Sequence, residues 1–454
     1  MTKKSAVPKG QTSFAKNFVA EDVKIIDVNN LGNGVAKIDG KTVFVKGAVT
    51  GDVCDIVIIK DASDYAVAAI KCLKKGSPHR VPAGCPVYKR CGGCVYRQID
   101  YNFELSQKAA QVKYAFLKEG LSPTIDDILF DKEDGYRNKV QYPVSYDRKI
   151  GYYAQRTHEI VPVRSCCLQD KRFEPVLDEI AIFLDDHDIC GYDETKGVGV
   201  IRHICMRAAN EGVSLCLVIN SDELPYRREF INTITSRCPD VLSISLSVNK
   251  SRTNVILGES AKIIWGKGSL TDTLCDLNFE ISPMSFYQVN RNMAEKLYEK
   301  AAEYADLKNG QTLVDLFCGV GSIGLSMIKD KPSSKLIGIE IIPDAVENAR
   351  RNAEINGIKN ASFVCGDANA KEVADADVIV IDPPRKGCDP ALVLRIADSS
   401  CSRVVYVSCN PTTLARDCKR FVEHGFLIEK VTPADMFPRT GHVETVCLLS
   451  RVKK

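Results

Sequence analysis

The sequence predicts a multidomain α/β protein, with a small N-terminal β-barrel, a central α/β region holding a cysteine cluster, and a C-terminal Rossmann-like sheet flanked by helices. Three observations lead there. Residues 23–73 alternate short β-rich runs with turn signals, a close-set group of cysteines follows, and from about Leu307 the chain repeats strand, loop and helix. At 454 residues the chain exceeds one ordinary domain and fits about three. The expected division is a flexible tail over 1–16, the barrel over 17–76, a central domain over 77–278 and a C-terminal domain over 279–454.

The barrel rests on the runs VKIIDV, TVFVKGA, CDIVII and YAVAAI, punctuated at Asn29-Asn30, Gly32, Gly34, Gly40 and Gly51-Asp52. Strands this short and this regularly interrupted close into small barrels. Residues 1–80 carry thirteen Lys and Arg against eight Asp and Glu, a surplus of five, although the whole chain is only +3. A basic module suits nucleic acid, and a solvated lysine-rich face would look the same. The stretches Gly32-Asn33-Gly34-Val35-Ala36, Val43-Phe44-Val45 and Gly51-Asp52 resemble a TRAM domain, an OB-like RNA-binding barrel.

Nineteen cysteines, an odd number spread along a long chain, indicate reduced thiols in an intracellular protein. The first residues lack a secretory apolar run, and no stretch approaches the ~20 apolar residues of a membrane helix. A cytoplasmic protein without a membrane partner is expected. Cys85, Cys91 and Cys94 have five and then two intervening residues, with Gly92-Gly93 allowing a tight turn. Three close thiolates and a distant fourth can hold either an iron–sulfur cluster or zinc. Phe103, Leu105, Ala109, Val112 and Phe116 then recur at helical spacing before Gly120, predicting a core-packed helix over 101–119 that joins the C-terminal domain.

Between Gly135 and Asn278 the clearest β segments are GYRNKVQYPV, VIRHICMRA, VSLCLVIN and LSISLSVN. Seven strands follow, TLVDLF, KLIGIE, ASFVC, DVIVID, RVVYVS, FLIEKV and VETVCLLS, which predict a parallel sheet with ligand at the strand C-termini. The first runs into Cys318-Gly319-Val320-Gly321-Ser322-Ile323-Gly324, where glycines let the backbone approach a cofactor. Glu340 ends the next strand, placed to accept hydrogen bonds from ribose hydroxyls. Asp315 favours a positive methionine amino group or sulfonium over the pyrophosphate of a dinucleotide, so S-adenosylmethionine is preferred to NAD. Asp367 would reach the adenine end or simply cap its loop.

Three segments fall at strand ends on the same face: Ile381 to Gly387 with Asp382-Pro383-Pro384-Arg385, Val407 to Pro411 with Cys409, and Asp435 to Glu444. Asp-Pro-Pro occurs in methyltransferases acting on exocyclic amines, but Arg385 stands where those have an aromatic residue. Cys409 suits a different reaction. C5 of uracil is a poor nucleophile until a thiolate adds to C6, and a base must afterwards remove the C5 proton, a role for which Glu444 is the candidate.

Ser408-Cys409-Asn410-Pro411-Thr412-Thr413-Leu414-Ala415-Arg416-Asp417 and Met436-Phe437-Pro438 to Glu444 resemble the signatures of the RNA 5-methyluridine methyltransferase family. The resemblance implies Cys409 as nucleophile and Glu444 as base, with cofactor contacts from Gln288, Phe317 and Glu340 and with Asp382 between cofactor and uracil. By residue type alone Gln288 could equally cap the following helix. The family's C-x5-C-x2-C pattern implies a [4Fe–4S] cluster on Cys85, Cys91, Cys94 and Cys166, with Cys167 an alternative last ligand. The barrel with the cysteine cluster resembles the 23S ribosomal RNA branch. Alternatives are a tRNA uridine methyltransferase and a non-catalytic RNA-binding assembly factor. Arg137, Lys139 and Arg202 are candidate phosphate contacts, each with an ordinary surface role as the other reading, and no obligate protein partner is implied.

Overall fold

The computed structural model describes residues 13–15, 17–368 and 371–452. Apart from 13–15, the tail expected over 1–16 lies outside the described residues. The chain divides into two compact units. One takes the described residues up to Pro86 with Cys94–Gln107 and Arg439–Gly441; the other takes Val87–Gly93, Lys108–Pro438 and the described residues from His442 onward.

In the first unit a six-stranded sheet is built from Val19–Lys24, Asp27–Val28, Asn33–Ile38, Lys41–Lys46, Val53–Asp61 and Tyr65–Lys75. The edges of the sheet meet through one continuous run. Val19–Lys24 pairs with Val53–Asp61, and two residues later Asp27–Val28 pairs with Asn33–Ile38 at the opposite edge. The predicted barrel closes in this way, leaving no long exposed edge. Its core is the period-two set Val43, Val45, Cys54, Ile56, Ile58, Ala66 and Ala68. Asp52 fixes the exit: it accepts hydrogen bonds from Val49 N (2.7 Å) and Ser77 N (2.9 Å) and pairs with Arg80 at 2.6 Å. Gly441 must be glycine here, because a Cβ would stand 1.7 Å from the Asn30 carbonyl oxygen.

The second unit contains two large sheets. The central one orders Lys262–Gly266, Val241–Val248, Val213–Ile219, Ile201–Ala208 and Lys139–Pro143. Its apolar face, including Tyr142, Ile204, Met206, Leu215, Leu217 and Ile244, packs on the helices Phe173–Asp186 and Arg227–Arg237. The parallel pair Val213–Ile219 and Val241–Val248 is joined by the second of these helices, the crossover that parallel pairing demands.

The C-terminal sheet orders Ala361–Cys365, Lys335–Glu340, Thr312–Leu316, Val378–Ile381, Arg403–Ser408, Glu444–Arg451 and Phe426–Ala434. Strand order reverses between Thr312–Leu316 and Val378–Ile381, which opens a crevice beyond their C-termini. The first five strands are parallel, as predicted. Glu444–Arg451 alone runs antiparallel to its neighbours Arg403–Ser408 and Phe426–Ala434, contrary to the wholly parallel sheet the sequence suggests. Only residues 435–443 connect Phe426–Ala434 to it, too few for a helical crossover.

The predicted helix forms as Tyr101–Lys118. From Lys108 onward it is core: Val112, Ala115 and Phe116 pack with Val314, Leu316, Ile339 and Ile379 of the C-terminal sheet. The Lys108 ammonium is fully buried on this face, bonded to Asp435 Oδ1 at 2.7 Å and to the Phe437 carbonyl at 3.1 Å.

Candidate active site

At the crevice, Asp315 is buried within Thr312–Leu316 and accepts the Gly324 amide on Oδ2 at 2.9 Å. Its other oxygen is buried without a hydrogen-bond partner among the described residues. Burial above all, opposed by the Gly324 hydrogen bond, pushes this carboxyl up to about 8. The chain turns sharply after the strand: Phe317 has φ 63°, a conformation that strains a non-glycine residue, and positions 319 and 321 are glycines with positive φ. At Gly319 a Cβ would meet nothing within 4 Å, so this side of the loop faces open space. Glu340 braces the loop, accepting Gly319 N at 3.1 Å and Ile342 N at 2.9 Å. Phe363 packs where the Cβ atoms of Gly321 and Gly338 would stand.

These groups fit S-adenosylmethionine. The unpartnered oxygen of Asp315 and the carboxylate of Glu340 suit a cationic methionine end and ribose hydroxyls, whereas a pyrophosphate would meet the same acids with repulsion. The buried Tyr298 hydroxyl lies 3.0 Å from Ser322 Oγ, in the neighbourhood of Gln288 and within the field of Asp382. Asp367 is exposed, one residue after Gly366, whose amide donates to the Glu340 carbonyl at 3.0 Å.

The second group sits at the end of Arg403–Ser408. Ser408 is paired with Thr445 on the antiparallel neighbour, so one further step of register sets Cys409 opposite Glu444. The Cys409 thiol is pushed up by burial, then by Glu444 and Asp382, while Arg385 draws it down. Burial, with Asp382 adding, raises Glu444 to about 8, and burial raises Asp382 to about 7. Arg385 is held over this group from below. Its carbonyl accepts from Asn410 Nδ2 (3.2 Å) and Thr413 Oγ1 (3.3 Å), while Asn410 caps the helix Pro411–Glu423. One thiol, two carboxyls and one guanidinium therefore converge beside the cofactor crevice, an arrangement able to support nucleophilic addition and proton removal.

Residues 307–432 match the methyltransferase domain family and residues 19–71 the TRAM domain family. Over 95% of its length the chain is 40% identical to an uncharacterized RNA methyltransferase of Bacillus cereus, covering 97% of that protein. The chain belongs to the RNA methyltransferases. An uncharacterized RNA methyltransferase of Clostridium acetobutylicum is 38% identical over the same 95%, covering 97% of that relative. Among solved structures, this RNA methyltransferase is similar to Pyrococcus abyssi tRNA (uracil-54, C5)-methyltransferase in complex with S-adenosyl-L-homocysteine. That likeness has a TM-score of 0.78 at 28% identity and covers 94% of this chain and 99% of the other.

Cys85 and Cys94 belong to the first unit, Cys91 and Cys166 to the second. Within the second, Cys91 bridges to Ala154 next to the hairpin Gly151–Tyr153 and Ile160–Pro162, and Cys166 lies within the field of Tyr142 and Tyr152. Among the described residues no group of three or more His, Cys, Asp or Glu side chains is arranged to hold a metal ion, so no chemical step is assigned to a cluster. Arg202 corrects another expectation. It is buried, donates to the carbonyls of Asn249 (2.7 Å) and Ser251 (2.8 Å) and stacks on Tyr192, so its charge holds a loop and cannot meet a phosphate. Also among the described residues, no helix is long and apolar enough to cross a membrane.

Two features of the site escape sequence reading. Tyr298 looks like an ordinary helix core residue, with nothing in its neighbours to announce a polar contact. Lys108 did carry a signal, since it falls on the apolar stripe of its helix where a charge needs a buried partner.

Proposed function

We propose that this RNA methyltransferase transfers a methyl group to C5 of a uridine, with Cys409 as nucleophile and Glu444 as base. The observation that carries the reading is the pairing of Cys409 and Glu444 at one strand end, beside Asp382 and Arg385. Cys409 as thiolate adds to C6 of the uracil, and the C5–C6 pair of electrons moves onto the ring as an enolate. Arg385 favours both the thiolate and the developing negative charge. S-adenosylmethionine supplies the methyl group to C5. Glu444 then takes the C5 proton, the C6–S bond breaks, and its electrons return to Cys409. Gln288, Phe317 and Glu340 orient the donor, Asp367 reaches toward its adenine end, and Asp382 lies between donor and uracil.

The substrate proposed is 23S ribosomal RNA, on the resemblance of the barrel and cysteine pattern to that branch. The Pyrococcus abyssi tRNA (uracil-54, C5)-methyltransferase favours a second reading, a tRNA uridine. The spacing of Cys85, Cys91, Cys94 and Cys166 supports a [4Fe–4S] group outside the methyl transfer, to be tested by iron and sulfide analysis of anaerobically purified protein. RNA containing 5-fluorouridine tests the mechanism: it should trap a covalent adduct that Cys409→Ala abolishes. Mapping 5-methyluridine in 23S ribosomal RNA and in transfer RNA, with and without the gene, decides the substrate, and no change in either would refute the proposal.

A further inference from the structure

A separate cavity of about 120 Å³ opens in the second unit between the start of the central sheet and the helix Arg291–Ala305. Its wall is rich in cations, but they are not equivalent. Arg172 is bonded to both oxygens of Asp170, at 2.8 Å and 3.0 Å, and Arg291 donates to Asp272 at 2.9 Å and to Asn210. Those charges are neutralised in place.

Arg137 and Lys132 are different. Arg137 spends only its Nε, on the Lys139 carbonyl at 3.1 Å. Neither its terminal nitrogens nor the Lys132 ammonium has a hydrogen-bond or ion-pair partner among the described residues. The amide of Asn210 completes a donor-rich wall, its oxygen being already engaged by Arg291. Behind Arg137, Lys139 faces Arg207 directly across the strand pair, a like-charge juxtaposition that costs stability. Burial first, then Arg207 and Arg137, depress Lys139 to about 8, while the thiols of Cys205 and Cys216 act the other way. Against Asp170, which also feels the Lys132 charge, and Asp272, the wall thus sets four cations, of which Arg137 and Lys132 stand outside ion pairs among the described residues.

We propose that this cavity binds a backbone phosphate of the substrate RNA through Arg137 and Lys132. The inference rests on the RNA-methylating reading and adds a grip to it. Two residues of the cavity wall reach the active-site segments. Asn138 Nδ2 donates to the carbonyl of Gln288 at 3.0 Å, and Asn290 Nδ2 donates to the carbonyl of Met436 at 3.1 Å. A phosphate seated here is therefore read by the same framework that holds Gln288 and the loop leading to Glu444.

The test is binding of a fluorescent 20-nucleotide oligouridine RNA to the full chain across a salt series. Arg137→Gln and Lys132→Gln should each weaken binding about three- to tenfold and lower the slope of log K against log salt by about 0.7, the value for one single-strand phosphate contact. Lys359→Gln, a charge change away from the cavity, should change neither. Lys132 is exposed, so its variant keeps the fold even if Arg137→Gln does not. Unchanged affinity and slope in Lys132→Gln and in a folded Arg137→Gln would overturn the phosphate site. Wild-type protein that binds the oligouridine with the full slope but traps no 5-fluorouridine adduct would instead refute the methylation reading and leave the cavity standing.

Discussion

Ser408 and Thr445 face each other on adjacent antiparallel strands, so Cys409, one residue past its strand, comes beside Glu444, the first residue of the other. The nucleophile and the base are thus set by strand register, on rigid elements and not on a mobile loop. Their separate tasks give a first prediction. Glu444→Gln should still add to uracil and methylate it but fail to release it, lowering turnover on the order of 10²- to 10⁴-fold. A covalent RNA adduct should then accumulate on ordinary uridine substrate, visible as a slow band on a denaturing gel. A variant with slow turnover and no adduct would place Glu444 before addition instead of after it.

The pH profile should be alkaline. Cys409 must be thiolate, and burial with Glu444 and Asp382 holds its proton on; Glu444 must be carboxylate to accept a proton, and its ionisation is delayed to about 8. Both groups gain their working form as pH rises. We expect kcat to climb steadily from pH 6 to pH 9, and single-turnover adduct formation by Glu444→Gln to follow the Cys409 ionisation alone. A flat wild-type profile over that range would contradict the assignment.

Much of this was readable in the sequence because parallel strands announce themselves. The runs from TLVDLF to RVVYVS are apolar, evenly spaced and followed by helices, so Glu340, Asp382 and Cys409 could be placed at strand ends before any coordinates. Register across the last two strands was not readable, because FLIEKV and VETVCLLS look like two more repeats and only the short 435–443 connection makes them antiparallel. That reversal is what sets Glu444 beside Cys409. Arg202 misled for a related reason: in sequence a buried arginine bonded to carbonyls is indistinguishable from one waiting for a phosphate. Partners brought in from distant segments, as Asn138 is to Gln288, leave no local pattern at all.

The crevice carboxyls should make the ligand-free protein less stable as pH rises. Asp315 sits at about 8 and Asp382 at about 7 in the folded chain, above the value of about 4 for an unfolded aspartate. For groups raised on folding, the stability present at low pH is lost as pH climbs from the unfolded value through the folded one. The thermal midpoint should therefore fall between pH 5 and pH 8, and less steeply in Asp315→Asn, where that loss cannot occur. At pH 8 the cationic S-adenosylmethionine should raise the midpoint more than S-adenosylhomocysteine at equal concentration. An identical pH slope in wild type and Asp315→Asn would show that Asp315 is ionised normally.

Lys108 and Asp435 form an ion pair with both side chains wholly removed from water. Asp435 begins the connection that ends at Glu444, and the same ammonium also holds the Phe437 carbonyl, so the pair pins the start of that loop to the helix Tyr101–Lys118. Removing one partner strands the other charge in the core, at a cost of about 3–5 kcal/mol, whereas removing both can be nearly neutral. Lys108→Met alone should therefore lower the unfolding free energy by about that amount in urea titrations read by near-ultraviolet circular dichroism. Adding Asp435→Leu should recover most of it, because two apolar groups can pack where a buried carboxylate that has lost the Lys108 ammonium cannot. A double variant no more stable than Lys108→Met would show that the loss comes from packing around the lysine stem and not from the orphaned charge.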